Sequence, residues 1–140
     1  MTRILVVEDE SAVTQVIMET LSEQGYQVIE ADNGASAYEL TAEVAVAERP
    51  DLIVLDIMLP KMNGFEVLEK LKVNPQTAYI PVVIVSARNQ TQDETRGIRV
   101  GASDSITKPW SPGDLESRVK LDLDYRRSSK PSRISLSRQA

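Results

Sequence analysis

The chain has 140 residues, a net charge of -5 and a hydrophobic fraction of 41%, enough for one domain with a buried core. It contains no Cys and no His, which excludes disulfides and thiolate metal sites and removes the commonest general base. Any metal must therefore be bound by oxygen, which favours Mg²⁺, Mn²⁺ or Ca²⁺, and the acidic balance argues against general nucleic-acid binding.

Apolar segments alternate with helix-like segments along the chain. Strands are predicted at 4–7, 28–31, 52–55 and 82–85, with a weak fifth strand around 105–107. Five helices are predicted between and after these strands. The first runs from a Ser11 cap to Gly25, with an inner face of Val13, Val16, Ile17 and Leu21, and the second covers 34–48. The third runs from Gly64 to Asn74 with Phe65, Leu68 and Leu71 inward, the fourth is a mostly polar segment at 90–100, and the fifth starts at Ser111 with Pro112 at the first helical position.

Five strand–helix units in series predict an α/β fold. We expect a five-stranded parallel sheet of order 2-1-3-4-5, with right-handed crossovers and helices on both faces. No apolar segment approaches the roughly 20 residues of a membrane span, and the first strand begins too early for a signal peptide. We therefore expect a cytoplasmic protein with no membrane partner.

Polar side chains follow four of the predicted strands, where the carboxyl ends of parallel strands meet at one edge of the sheet. They are Glu8 and Asp9, Asp56, Ser86 and Lys108. Three clustered carboxylates repel one another unless a cation lies among them. Each of these residues alone is explained as a solvated acid, a satisfied hydroxyl or a strand-end charge, but their joint position predicts a Mg²⁺ and phosphoryl site.

Within that site the sequence assigns a role to each residue. Asp9 and Asp56 are candidate direct Mg²⁺ ligands, with Glu8 direct or through water and the backbone carbonyl of Met58 as a further oxygen. Asp56 is also a candidate nucleophile that forms an acyl phosphate. Lys108 would pair with a phosphoryl oxygen and Ser86 would donate its hydroxyl to another. A cis peptide bond between Lys108 and Pro109 would aim the lysine at the site.

These residues resemble the receiver domain of two-component response regulators over about residues 3–126. The motifs are Ile-Leu-Val-Val-Glu-Asp-Glu at 4–10, Asp-Ile-Met-Leu-Pro at 56–60 with Asn-Gly at 63–64, Pro-Val-Val-Ile-Val-Ser-Ala at 81–87, and Gly-Ala-Ser-Asp at 101–104 leading to Lys-Pro at 108–109.

The resemblance implies a role in a phosphorelay. It implies that Asp56 accepts a phosphoryl group from a histidine kinase or a phosphotransfer protein. It implies that Asp9, Asp56 and the Met58 carbonyl bind Mg²⁺ (Mn²⁺ as a substitute) with help from Glu8, and that Ser86 and Lys108 sense the phosphoryl group. Such a protein catalyses only its own phosphorylation and dephosphorylation and signals to a downstream protein or its own output domain. The family usually dimerises through helix 4, strand 5 and helix 5.

Two positions depart from the family pattern. Ser105 stands where the family usually has Tyr, Phe or His, so we expect the signal to pass through the loop before helix 4 or through the mobility of helix 4, which has few apolar residues to fix it. The segment 35–49 is about one turn longer than usual. Trp110, after the Lys-Pro turn, is expected to be partly buried.

Three other functions compete. An aspartate-nucleophile phosphatase would need an Asp-x-Asp motif, whereas Asp56 is followed by Ile57 and Met58. A flavodoxin-like electron carrier would need a phosphate-binding loop where this chain has acids. A receiver that acts without phosphorylation conflicts with the complete set of site residues.

The architecture leaves two possibilities. We expect a stand-alone regulator or relay, and the alternative is the N-terminal receiver of a longer regulator. In both, a receiver domain is predicted at 1–126 and a basic, Ser-rich tail or linker at 127–140. That tail carries four Lys/Arg and no acid, but it lacks the aromatic or helical pattern of a nucleic-acid-binding segment.

Overall fold

The computed structural model describes residues 1–59, 63–87 and 91–128, with the side chains of 91–94 and 126–128 left out of that description. Strands and helices alternate in chain order: β1 (Arg3–Val7), α1 (Ser11–Glu23), β2 (Gln27–Ala31), α2 (Gly34–Ala42), a 3₁₀ turn (Val46–Glu48), β3 (Leu52–Asp56), α3 (Gly64–Val73), β4 (Val82–Ala87), α4 (Thr91–Val100), β5 (Asp104–Lys108) and α5 (Asp114–Ser128). The predicted tail beyond residue 128 lies outside the described residues.

All five strands form one parallel sheet in the order β2-β1-β3-β4-β5, which confirms the predicted fold class. The three central strands are almost continuously apolar and buried because helices cover both of their faces. The edge strands β2 and β5 are less buried. Parallel strands bring their carboxyl ends to one edge, and the candidate site lies at that edge.

The core has two halves, one on each face of the sheet. On one face, α1 and α5 contribute Ile17, Leu21, Leu115, Val119 and Leu123. On the other face, α2, α3 and α4 pack over alternate residues of the same strands, with Phe65, Val67, Leu68 and Leu71 supplied by α3. The predicted inner face of α3 is therefore confirmed.

The start of α1 differs from the prediction. Glu10, not Ser11, is the N-cap residue, with extended backbone angles and no hydrogen bond from its side chain to the helix. Its carbonyl accepts from the amide of Thr14 at 3.0 Å. Glutamate is not a favoured capping residue, and the side chain of Glu10 instead turns toward the candidate site.

The inner face of α1 also differs in one residue. Ile17 and Leu21 are buried as predicted, but Val16 is 52% exposed. Val16 lies about 100° around the helix from Ile17, whereas Thr14 lies one turn before it. Thr14 is buried on this side of the helix, and its hydroxyl is satisfied by donating to the Glu10 carbonyl at 3.2 Å.

The prediction of one helix over 34–48 is wrong at its end. α2 begins after Asn33, whose side chain accepts from the Ser36 amide, and ends at Ala42. Between 43 and 48 every side chain is exposed or only partly buried, and Val46 is 71% exposed. Helices in proteins are stabilised mainly by packing, so the helix ends where its contact with the sheet ends, and a 3₁₀ turn follows.

α5 begins two residues later than the sequence predicts, and the start of the predicted α4 is only partly described. α4 runs to Val100, and the predicted first residue, Gln90, lies outside the described residues, as does the loop before the helix. α5 begins at Asp114 instead of Pro112, because Gly113 has a φ of 89°, which is incompatible with a right-handed helix. The amide of Asp114 donates to the Ser111 carbonyl at 3.0 Å and closes this turn.

Within the described part of the chain, no helix is both long and apolar enough to cross a membrane. Trp110 packs against the α1–α5 side of the core and is partly buried, as predicted.

Candidate functional site

The strand register brings the predicted site residues to the same edge of the sheet. In the β3–β4 pair, Asp56 is opposite Val85, and in the β4–β5 pair, Ser86 is opposite Thr107. Lys108 is the last residue of β5, and Glu8 directly follows β1. Side chains separated by up to 100 positions in sequence therefore surround one small region.

Three carboxylates meet there. Glu8, Asp9 and Asp56 each present one oxygen, and these oxygens lie within 4.8 Å of one another. Glu8 is 3% exposed and Asp56 is 4% exposed, while Asp9 faces solvent. Burial without a partner is costly for a carboxylate, and backbone amides offset part of that cost: Met58 donates to Asp56 Oδ1 at 2.9 Å and Glu10 donates to Glu8 Oε2 at 3.3 Å.

Lys108 supplies the positive charge of the cluster. Its Nζ atom lies 3.0 Å from Glu8 Oε1 and 3.1 Å from Asp56 Oδ2. The peptide bond between Lys108 and Pro109 is cis, as the sequence predicted. The lysine thus joins the two buried acids, which come from different strands.

The electrostatics of Glu8 and Lys108 are coupled. Burial, and then the hydrogen bond and charge of Asp56, raise the pKa of Glu8 to about 7, although Lys108 opposes this. Burial alone would lower the pKa of Lys108, but its hydrogen bonds to Glu8 and Asp56 and their charges outweigh burial and raise it. Lys108 stays charged at neutral pH, and one ammonium does not fully compensate the acids around it.

The donor set fits a hard divalent cation. All three side chains offer carboxylate oxygens that lie within 4.8 Å of one another, and burial, followed by the neighbouring Asp56, raises the pKa of Glu8. Mg²⁺ is bound in proteins by one or two carboxylates, with other oxygens completing an octahedron. Asp9, which is exposed, leaves the cluster open to solvent.

Ser86 contributes a hydroxyl of a different kind. The residue is 1% exposed, and among the described residues its Oγ has no hydrogen-bond partner. Most buried hydroxyls in proteins are paired. An unpaired hydroxyl one position beyond the strand partner of Asp56 is therefore a candidate donor to a bound group.

The start of α3 packs closely against the end of β3. Asn63 accepts from the Glu66 amide at 3.1 Å, and the Glu66 carboxylate accepts from the Asn63 amide at 3.1 Å, which forms a capping box. A Cβ atom on Gly64 would lie 2.5 Å from the Asp56 carbonyl oxygen. Only glycine allows the helix to begin this close to the backbone of Asp56. Residues 60–62 of the predicted motif lie outside the described residues.

Sequence reasoning gave Glu10 no role, but its Oε1 atom lies 3.4 Å from Lys108 Nζ. Its side chain is 65% exposed, so the pair is weak. A sequence signal for Glu10 exists, since it is the third consecutive acid after β1, next to Glu8 and Asp9 of the predicted site. Nothing in the sequence indicated that this acid would contact the lysine in preference to capping its own helix.

Comparison with known proteins gives the family. The family model described as the response regulator receiver domain matches residues 4–120. The chain belongs to the response regulator receiver family. Receiver domains of this family are generally not enzymes, generally bind Mg²⁺ at an acidic pocket, and interact with histidine kinases and with output domains.

Curated relatives are transcriptional regulators. The chain is 38% identical over 130 residues to the alkaline phosphatase synthesis transcriptional regulatory protein PhoP of Bacillus subtilis. The aligned residues make up 93% of this chain and 52% of that protein. It is 42% identical over 118 residues to the phosphate regulon transcriptional regulatory protein PhoB of Escherichia coli, covering 84% of this chain and 50% of that protein. The chain thus spans about half the length of these relatives.

Solved structures show the same fold. A response regulator from Chloroflexus aurantiacus superposes with a TM-score of 0.82 at 27% identity, covering 88% of this chain and 98% of the other. The similarity extends over nearly the whole of that chain, so the two proteins share the sheet and its helices.

Proposed function

We propose that Asp56 is the phosphoacceptor of this receiver. The observation that carries the proposal is the convergence of a buried Asp56 carboxylate with Lys108 at 3.1 Å and with oxygens of Glu8 and Asp9 within 4.8 Å. A carboxylate oxygen of Asp56 attacks the phosphorus of a phosphohistidine, an O–P bond forms as the N–P bond breaks, and the imidazole leaves with its electron pair. Loss of the group requires water to attack the same phosphorus.

The metal ligands in this proposal are Asp9, Asp56 and the backbone carbonyl of Met58, with Glu8 binding directly or through water. These groups would hold Mg²⁺, or Mn²⁺ in its place, and the ion would supply positive charge to offset that of the phosphoryl oxygens. The contact between the Met58 amide and Asp56 supports the choice of Met58, since it holds this backbone segment beside the carboxylate.

Lys108 and Ser86 complete the phosphoryl site. Lys108 is charged and bridges Glu8 and Asp56, so it is close enough to pair with a phosphoryl oxygen on Asp56. Ser86 brings a buried hydroxyl with no partner among the described residues, which is suited to donate to a second oxygen. Catalysis by the chain is limited to its own phosphorylation and dephosphorylation.

The chain in this proposal is a cytoplasmic signalling component without membrane or nucleic-acid contacts of its own. Its donor is a histidine kinase or a phosphotransfer protein. It transmits a conformational change either to a separate protein, as a stand-alone regulator or relay, or to its own output domain, as the receiver of a longer regulator. The chain spans about half of each curated relative, which is consistent with the second architecture as the alternative to the first. The receiver comprises 1–126 and the tail or linker 127–140.

A homodimer through α4, β5 and α5 is also proposed. Ile98 on α4 and Leu121 and Tyr125 on α5 are large side chains with more than half of their surface exposed. Arg118 on α5 pairs with Asp104 on β5 at 2.7 Å within the same chain. Exposed apolar side chains on elements that also carry a charged pair suit an interface between two copies.

Phosphotransfer from purified candidate histidine kinases tests the assignment. We expect radiolabel to pass from a cognate kinase to the wild-type chain and not to Asp56→Asn. Asp32→Asn is the matched control. It removes the same charge from a residue that follows the edge strand β2 and lies outside the carboxylate cluster. Label retained by Asp56→Asn contradicts the assignment of the nucleophile.

A further inference from the structure

Helices α3 and α4 are joined by a contact between an aromatic ring and a guanidinium. The Cζ atom of Arg96 lies 4.2 Å from the centroid of the Phe65 ring. This distance is within the range of a cation–π interaction. Phe65 is 5% exposed and belongs to the core, whereas Arg96 is exposed on α4. The contact therefore ties a solvent-facing helix to a fixed ring.

The Phe65 ring is tied in turn to the backbone of Asp56. Its neighbour Gly64 donates its amide to the Ile57 carbonyl at 2.8 Å, and a Cβ atom on Gly64 would lie 2.7 Å from Ile57 Cα. Packed interiors at this density transmit displacement instead of absorbing it. A shift in the backbone at 56–57 must therefore move Gly64 and, with it, Phe65.

The remaining described contacts of α4 with the sheet are few. Of residues 95–100, Gly97 is buried against Ile84, Val100 is partly buried and Ile98 is 51% exposed. The strand neighbour of Ile84 on β5 is Ser105, which offers little apolar surface under the helix. The Arg96–Phe65 contact is therefore a substantial part of what fixes this half of α4.

We propose that the Arg96–Phe65 contact couples the state of Asp56 to α4. The inference rests on the proposed function, since it requires Asp56 to carry the phosphoryl group. The added phosphoryl charge reorganises the backbone after Asp56, Gly64 and Phe65 follow, and the position of the ring relative to Arg96 sets how tightly α4 is held. Arg96 acts through Phe65 and touches none of the reacting atoms.

Hydrogen exchange of the α4 amides tests this, with beryllofluoride and Mg²⁺ as a mimic of the phosphoryl group. In the wild type we expect the mimic to change exchange at residues 95–100 by about fivefold, the lower end of typical coupling between sites. Arg96→Leu is expected to reduce that change to less than about twofold. Arg96→Lys, which keeps the cation, is expected to retain most of it, and Phe65→Leu is expected to lose it.

Arg99→Leu is the matched control, because Arg99 is an exposed arginine on the same helix, and it is expected to respond like the wild type. A wild-type response in Arg96→Leu, or an equal loss in Arg99→Leu, overturns the inference. So does unchanged α4 exchange in a wild-type protein that binds the mimic, as monitored by its fluorine NMR signal. Failure of the wild type to bind the mimic overturns the proposed function, and the inference with it.

Discussion

Two buried hydroxyls of this chain differ in whether they have a hydrogen-bond partner among the described residues. Thr77 is fully buried and its hydroxyl donates to the Leu71 carbonyl at 2.7 Å. Ser86 is almost as buried, and its hydroxyl has no partner among the described residues. A polar group destabilises the fold most when it is buried without a hydrogen-bond partner.

We expect Ser86→Ala to change the free energy of unfolding by less than about 0.5 kcal/mol, because no hydrogen bond within the described structure is lost. Thr77→Val leaves a buried carbonyl unpaired and is expected to cost about 1 to 2 kcal/mol. Urea unfolding monitored by circular dichroism measures both. Equal destabilisation by the two substitutions would show that the Ser86 hydroxyl serves the fold.

Asp122 on α5 is a buried acid whose surroundings disfavour its ionised form. Burial, and then the charge of Asp104, raise its pKa to about 6, with Arg118 opposing them. A raised folded-state pKa means that the folded protein binds more protons than the unfolded chain between about pH 4 and pH 6. The contribution of Asp122 to stability is therefore present below that window and lost as pH rises through it.

We accordingly expect Asp122→Asn to stabilise the protein at pH 7 and to make no difference below about pH 4. One pKa unit corresponds to about 1.36 kcal/mol, and after allowance for solvent screening we expect a gain of about 1 to 2 kcal/mol. Asp124→Asn is the control, since Asp124 is an exposed acid paired with Lys120 and should change stability by no more than about 0.5 kcal/mol. Urea unfolding of these variants at pH 7 and below pH 4 measures the difference. A stabilisation by Asp122→Asn that is the same at both pH values would show that the raised pKa of Asp122 is not its cause.

Among the elements, α3 and α4 each contain a glycine that packs against the sheet, but against different kinds of atom. A Cβ atom on Gly64 would meet the backbone of Asp56 and Ile57, whereas on Gly97 it would meet the end of the Ile84 side chain. A side-chain end can rotate away, but backbone of the central strand cannot. The start of α3 is thus fixed relative to the candidate site, and α4 is less so.

Gly64→Ala is expected to destabilise the protein by about 2 to 3 kcal/mol, in the upper part of the range for overpacking. Gly97→Ala is expected to cost less than about 1 kcal/mol, because the gain in helix propensity offsets much of the collision. Thermal and urea unfolding of the two variants provide the comparison. A larger loss for Gly97→Ala would mean that α4 is fixed more rigidly than these contacts indicate.

The elements also show where sequence patterns were sufficient. Continuous apolar strands and the repeating strand–helix order predicted the sheet and its strand order, because burial on both faces demands that pattern. The same reasoning predicted α3, whose apolar spacing places Phe65, Leu68 and Leu71 in the core. It failed where backbone angles or packing limits decided the outcome, at Gly113 before α5 and at Ala42, the end of α2.

At the candidate site, strand-end position predicted which residues meet, since parallel strands leave little choice. It did not predict the direction of the Glu10 side chain, which depends on the location of Lys108 nearly 100 residues away. Nor did it indicate the contact of Arg96 with Phe65, because nothing in the polar sequence of α4 marks one arginine as different from another.

For the molecule as a whole, the acidic cluster predicts stabilisation by Mg²⁺. A cation that binds only the folded chain stabilises it by about 1.4 kcal/mol when its free concentration is ten times Kd, which corresponds to a rise in Tm of about 4 °C for a domain of this size. Asp9→Asn should abolish the rise and Asp32→Asn should keep it, as differential scanning calorimetry with and without MgCl₂ will show. An equal rise in both variants would place the cation elsewhere.

The most direct measurement is the location of the phosphoryl group itself. Incubation with phosphoramidate, a small P–N donor, followed by borohydride reduction converts a phosphorylated aspartate to homoserine, which peptide mass spectrometry locates. We expect homoserine at position 56 when Mg²⁺ is present and none when the metal is chelated. Homoserine at another acid, or none at position 56 with Mg²⁺ present, would contradict the assignment of Asp56 as the phosphoacceptor.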